Sequence, residues 1–149
     1  MKNILLCIDF QKETSILVEK AAEVATAFGS RIWVLHVADP DPDFAGYEAG
    51  PQFIRDEIAQ GLRNEHSTLQ NIAEVLNSRG IQAEALLIQG QTVEAILDEA
   101  RKLNIDLLML GYAPHSLVHR IFLGESTPRL LRKTAIPLFI VPSPTIEVS

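Results

Sequence analysis

The chain has 149 residues, 47% hydrophobic and 21% charged, the size and make-up of about one globular domain. No apolar stretch reaches the 18 or so residues that a membrane-spanning helix needs, and the lone cysteine excludes an internal disulfide framework and a multi-cysteine zinc site. With 13 Lys+Arg against 19 Asp+Glu, the net charge of −6 argues against non-specific nucleic-acid binding as the main task.

Met1-Lys2-Asn3 leads straight into Ile4–Ile8, a continuous apolar run that stops at Asp9. Its length and Ile/Leu content suit a strand buried on both faces. It is too short for a signal peptide, and no small-residue cleavage site follows, so a cytoplasmic location is expected. Thr14 or Ser15 is placed to cap a helix, whose apolar stripe is Leu17, Ala21, Val24/Ala25 and Phe28. Gly29 stands where helices end. Ile32–Val37 is a second strand, rich in β-branched and aromatic residues.

Residues Ala38 to Gly50 hold three Asp, two Pro and two Gly and read as a loop. Asp39, Asp41 and Asp43 lack the full pattern of a calcium loop. From Pro51 a long helical pattern carries Ile54, Ile58, Leu62, Leu69, Ile72 and Leu76 and closes at Gly80, with Gly61 as a weak point inside it. Ala83–Ile88 is a third strand. Thr92 is placed to cap a helix with Val93, Ile96/Leu97, Ala100 and Leu103 inward and Glu94 in its first turn. Leu107–Leu110 is a fourth buried strand ending at Gly111. A loop leads to Gly124, a short helix runs from Thr127 to Lys133, and Pro137–Val141 is the last strand.

Strands alternating with helices imply a parallel sheet with helices on both faces and right-handed crossovers. In such sheets ligands bind in the crevice at the carboxyl ends of the strands, where strand order reverses. The residues after the first and fourth strands therefore carry most weight: Asp9, Gly111 and the segment to Thr127.

That segment has no P-loop, no Gly-x-Gly-x-x-Gly fingerprint and no Gly-x-Ser-x-Gly elbow. His115 and His119 are four apart, but no Glu of the zinc-protease pattern stands between them. Between Tyr112 and Lys133 there are four cations, Arg120, Arg129, Arg132 and Lys133, against one acid, Glu125. One reading is an anion site, because a helix start offers unpaired N–H groups and partial positive charge; Ser126 and Thr127 add hydroxyls. The other reading is of glycine turns and a solvated basic face. Asp9 likewise reads either as an acceptor for a ribose or base, or as a carboxylate capping its own loop. Cys7, inside a strand, reads as a small core residue. His36 reads as a satisfied, half-buried histidine, and Trp33 and Phe139 as packing residues.

The chain resembles the universal stress protein family over nearly its whole length. The resemblance rests on Ile4-Leu5-Leu6-Cys7-Ile8-Asp9, Val34-Leu35-His36-Val37, the Gly90 to Gly111 unit, the Gly124 loop and Ile136-Pro137-Leu138-Phe139-Ile140-Val141-Pro142. It implies a single domain over residues 1–149 with a Rossmann-like fold of the adenine nucleotide alpha hydrolase type. The expected sheet is parallel and five-stranded, in the order 3-2-1-4-5. It also implies a homodimer through the strand Pro137–Val141, an edge open to pairing.

Family members that bind ATP carry Gly-x2-Gly-x9-Gly-Ser/Thr after the fourth strand. Here Gly111 and Gly124 match the first and third glycines. Pro114 replaces the second and Glu125 the Ser/Thr, with Ser126 and Thr127 next. Proline has no N–H and a fixed φ, and Glu125 would repel a phosphate. Phe10-Gln11 stands where many members have Gly-Ser after the Asp, an expected narrowing of the mouth. The resemblance implies a nucleotide site made of Cys7, Asp9, Val37, Leu110, Gly111, Gly124, Glu125, Ser126 and Thr127. Its ligand would be ATP, ADP or AMP, with Mg²⁺ only beside a triphosphate. The role implied is a regulatory module in stress response and not an enzyme, with no catalytic residues; a slow ATPase is the enzymatic alternative. The alternative is a nucleotide-free interaction protein of the same fold, its phosphate loop degraded at Pro114 and Glu125.

Overall fold

A computed structural model describes residues 1–10, 14–38, 52–112 and 126–142. The chain runs β1 (Asn3–Cys7), α1 (Ser15–Phe28), β2 (Arg31–Ala38), α2 (Gln52–Ser78), β3 (Ala83–Gln89), α3 (Thr92–Lys102), β4 (Leu107–Tyr112), α4 (Ser126–Lys133) and β5 (Leu138–Pro142). The segments expected as loops after the second and fourth strands, 39–51 and 113–125, lie outside the described residues.

The strands form one five-stranded sheet in the order β3-β2-β1-β4-β5, and every pairing is parallel. Side chains alternate across each strand, and the two faces bury different sets. Ile4, Leu6, Ile32, Val34, Leu107 and Met109 pack on one face against Leu17, Ala21 and Ala25 of α1 and Leu69, Ala73 and Leu76 of α2. Leu5, Leu35, Leu108 and Leu110 pack on the other against Val93, Ile96 and Ala100 of α3 and Leu130 of α4. Leu5 and Leu6 are both 0% exposed, so β1 is buried on both faces, and each such side chain contributes about 1.5–3 kcal/mol.

Several boundaries have a visible physical cause. Gly29 takes φ 65° and ends α1 in a left-handed cap, its N–H bonded to the Ala25 carbonyl. The helix α2 runs unbroken through Gly61 for 27 residues, about 40 Å. Intrahelical bonding across many turns outweighs the ~1 kcal/mol propensity cost of one glycine. Asn77 fixes the turn into β3: its side-chain amide accepts from the Ala83 N–H and donates to the Ala83 carbonyl, at 3.0 and 3.1 Å.

Three expectations are corrected. Phe28 is 58% exposed rather than part of the buried stripe of α1, because it occupies the helix's last position, where the turn gives way to Gly29. Thr92 is the first residue of α3, and the cap position belongs to Gln91 in extended conformation, without a side-chain capping bond. Thr14 does hold the cap position of α1, but it too makes no side-chain capping bond.

Candidate functional site

The order β3-β2-β1-β4-β5 reverses direction between β1 and β4, which opens a crevice at their carboxyl ends. Cys7 pairs with Leu35 of β2 on one side and Leu110 of β4 on the other. Cys7, Val37 and Leu110 all pack on the α3/α4 face. Leu110 is buried, while Cys7 and Val37 are only partly covered. Three of the expected site residues thus lie on one face at one end of the sheet, with Asp9 two residues beyond the end of β1. Gly111 follows Leu110 within β4 and pairs with Val141 of β5.

Burial pushes the Cys7 thiol up to about 12, so it is a neutral group at pH 7 rather than a nucleophile.

The helix that follows β4 begins at Ser126. Gly124 and Glu125 lie outside the described residues, as do Pro114 and Arg120. Arg129 and Lys133, one helical turn apart on α4, both reach Glu94 in the first turn of α3, at 2.7 and 3.4 Å. The Glu94 carboxyl is held below its usual range, by its own backbone N–H at the helix start and then by Lys133 and Arg129. Two of the four cations of the basic segment therefore have an internal partner. The sequence did not suggest this, because the pairs are 35 and 39 residues apart.

Behind the crevice, on the α1/α2 side, stands a second cluster that the sequence placed only in part. His36 Nδ1 is 2.8 Å from the Ile8 carbonyl oxygen, and its Nε2 is 3.4 Å from Glu65 Oε2 of α2. His36 is thus a satisfied, half-buried histidine. Phe10 packs on it with ring centroids 4.4 Å apart and joins the α1/α2 core. Its ring is directed behind the sheet rather than across the crevice mouth. Alternation with Val34 was the available signal for the face that His36 takes; nothing local pointed to Glu65.

At the opposite end of β1, Asp106 accepts hydrogen bonds from the backbone N–H groups of Lys2 and Asn3, each at 2.9 Å. It ties the entry of β1 to the entry of β4. Among the described residues no helix is long and apolar enough to cross a membrane, and no group of three or more His, Cys, Asp or Glu could hold a metal ion.

Comparison with known proteins bears on the whole of this arrangement. The model of the universal stress protein family matches residues 1–142. A universal stress protein of Thermus aquaticus, encoded in the 3′ region of a QAH/OAS sulfhydrylase, is 29% identical over 94% of this chain and 98% of its own length. The universal stress protein UspA from Lactobacillus plantarum superposes with a TM-score of 0.77 at 17% identity, covering 94% of this chain and 97% of that one. A universal stress protein from Archaeoglobus fulgidus in complex with dAMP superposes with a TM-score of 0.60 at 16% identity, covering 95% and 98%. The two structural likenesses establish a shared Rossmann-like fold, and the sequence match goes further: this chain belongs to the universal stress protein family.

Proposed function

We propose that this protein is an adenine-nucleotide-binding regulatory module of one domain, acting in stress response as a homodimer in the cytoplasm. The observation that carries this reading is the wall of Cys7, Val37 and Leu110 at the β1/β4 reversal, with Asp9 beside it. A flat, incompletely covered apolar surface suits an adenine ring, and an adjacent carboxylate suits the hydroxyls of a ribose. Gly111, Gly124, Glu125, Ser126 and Thr127 would line the phosphates, chiefly through backbone N–H groups at the start of α4. The dAMP complex of the Archaeoglobus fulgidus protein supports the same ligand class. The ligand is AMP, ADP or ATP, and Mg²⁺ enters only with a triphosphate. The role is binding rather than catalysis. Phosphate release above background, abolished by substitutions in the Gly111–Thr127 segment, would overturn that.

A second reading is favoured by two observations. Glu94 occupies Arg129 and Lys133, and Pro114 and Glu125 depart from the family's phosphate pattern. On this reading the protein is a nucleotide-free interaction module. The two are separated by denaturing the purified protein and running the supernatant on ion-pair chromatography with mass detection. Near-stoichiometric adenine nucleotide supports the first reading. An empty protein that binds neither ATP nor AMP by calorimetry supports the second. Replacing Ser126 and Thr127 together by alanine is expected to weaken nucleotide binding; unchanged affinity would remove the phosphate site from this segment.

A further inference from the structure

The Ile8 peptide is where the β1 ladder ends. Pairing of β1 with β2 stops at Cys7–Leu35, and pairing with β4 stops at Cys7–Leu110. The Ile8 N–H still bonds to the Leu35 carbonyl at 2.7 Å. Its own carbonyl leaves the sheet ladder and is taken by the imidazole of His36 at 2.8 Å. The carbonyl of Ile8 and the N–H of Asp9 belong to one rigid peptide plane. Whatever holds the carbonyl therefore sets the direction in which the chain enters Asp9.

The imidazole is itself held from three sides. A carbonyl oxygen only accepts, so Nδ1 carries a proton and donates to Ile8. Glu65 Oε2 is shut off from solvent and makes no hydrogen bond among the described residues. His36 Nε2 stands 3.4 Å from that oxygen, an ion-pair distance rather than a hydrogen bond. Phe10 packs against the ring, tilted 54° to the imidazole. Nδ1 is thereby held in a hydrogen bond and Nε2 faces a carboxylate of α2. His36 also points to the α1/α2 side, whereas its neighbour Val37 packs on the crevice side.

We propose that His36 is a positioning residue for the crevice: with Glu65 it fixes the Ile8–Asp9 peptide and couples the crevice to helix α2 on the opposite face of the sheet. The coupling half rests on the nucleotide reading above; the fixing of the peptide does not. A ligand that draws on Asp9 pulls on the same peptide plane, and the strain passes through the imidazole to Glu65, near the middle of α2. The coupling element is named atom by atom: Ile8 carbonyl oxygen, His36 Nδ1 and Nε2, Glu65 Oε2.

The test is amide hydrogen exchange by NMR on the full chain, without and with AMP, beside calorimetry of AMP binding. In His36→Leu the Ile8 amide, bonded to the Leu35 carbonyl, is expected to exchange about tenfold faster, the equivalent of one lost hydrogen bond, and the Asp9 and Phe10 amides beyond it to exchange faster as well. AMP affinity is expected to fall by a similar factor. In His36→Asn, whose amide can still donate to the Ile8 carbonyl, the Asp9 and Phe10 rates return toward the parent value. In the parent protein, AMP is expected to slow exchange in α2 around Glu65, and in His36→Asn and Glu65→Leu that response is lost. Unchanged Asp9 and Phe10 exchange in His36→Leu overturns the positioning role. AMP that binds the parent protein without slowing exchange around Glu65 overturns the coupling. A parent protein that does not bind AMP overturns the nucleotide reading, and the exchange rates without AMP still decide the positioning role. Should His36→Leu fail to fold, Glu65→Leu reads the same Asp9 and Phe10 amides.

Discussion

The described residues of the two helical layers cover the sheet differently, and the proposed nucleotide site lies on the α3/α4 side. Among the described residues, sixteen buried side chains make the core between the sheet and α1/α2, against nine between the sheet and α3/α4. The α1/α2 layer fixes the strands from behind and supplies His36, Phe10 and Glu65 as backing for the end of β1. The α3/α4 layer leaves Cys7 and Val37 partly uncovered at the strand ends. A recognition surface needs apolar groups that the protein's own helices do not finish covering. Here those partly covered groups lie on the α3/α4 side, while the α1/α2 side backs the end of β1.

The contrast is broken most directly by comparing one residue from each layer. Leu6→Ala opens a cavity in the α1/α2 core and is expected to cost about 2–5 kcal/mol in urea unfolding. Val37→Ala trims a partly covered wall residue, costs about 1 kcal/mol or less, and instead lowers nucleotide affinity several-fold by calorimetry. If the two substitutions cost the same stability and neither touches affinity, the division of labour between the layers is wrong.

The α1/α2 layer runs out at the sheet edge. Phe139 of β5 lies on the same side as Val141 but is 39% exposed. An apolar side chain on an edge strand suits the dimer proposed above. Phe139→Lys is expected to give monomers by sedimentation, and an unchanged dimer would put the interface elsewhere.

Asp106 serves both layers, because it joins β1 to β4 at the end away from the crevice. The N–H groups of Asn3 and Lys2 hold its carboxyl below the usual value of 3.8. A depressed carboxyl contributes stability that is fully present above its unfolded value and is lost as pH falls through its folded value. Stability should therefore decline below about pH 4, and part of that decline should vanish in Asp106→Asn. An identical acid profile in both proteins would show that the seam does not depend on this charge.

The smallest effect is expected at the rim of the α3/α4 layer. Glu94 is about half exposed, and its pairs with Arg129 and Lys133 are open to solvent, so their loss changes stability little. Glu94→Gln does, however, release cations on the helix that starts beside the crevice. Nucleotide affinity should rise a few-fold and become more sensitive to salt. A fall in affinity would mean that Glu94 orients these cations toward the ligand instead of competing for them.

Much of the framework was legible in the amino-acid order because it is periodic and local. Apolar runs such as Ile4–Ile8 and Leu107–Leu110 stand out as strands buried on two faces, and Gly29 stands out as a helix stop. That Cys7 and Val37 share a face came from the packing of the strands and not from the amino-acid order. The side-chain contacts were less legible, because they depend on how far each helix rotates over the sheet. Glu65 meets His36 across 29 positions, and Asp106 meets Asn3 across 103. No local pattern encodes such pairs. Phe28 misled for a related reason: helical periodicity continues to the last residue, whereas the surface beneath the helix does not. Phe10 shows the limit of reasoning by position alone. Its place after Asp9 suggested the mouth of the crevice, yet its ring packs on His36 on the α1/α2 side.

The central claim is that the apolar wall at the β1/β4 reversal holds the nucleotide base. It is tested most directly by titrating the isotope-labelled protein with AMP and following its amide NMR spectrum. The account predicts saturable shifts concentrated at Cys7, Asp9, Val37, Leu110 and Gly111, with smaller ones at Glu65 through His36. A spectrum that stays unchanged at millimolar AMP, or shifts confined to the far end of the sheet around Lys2 and Asp106, would contradict it.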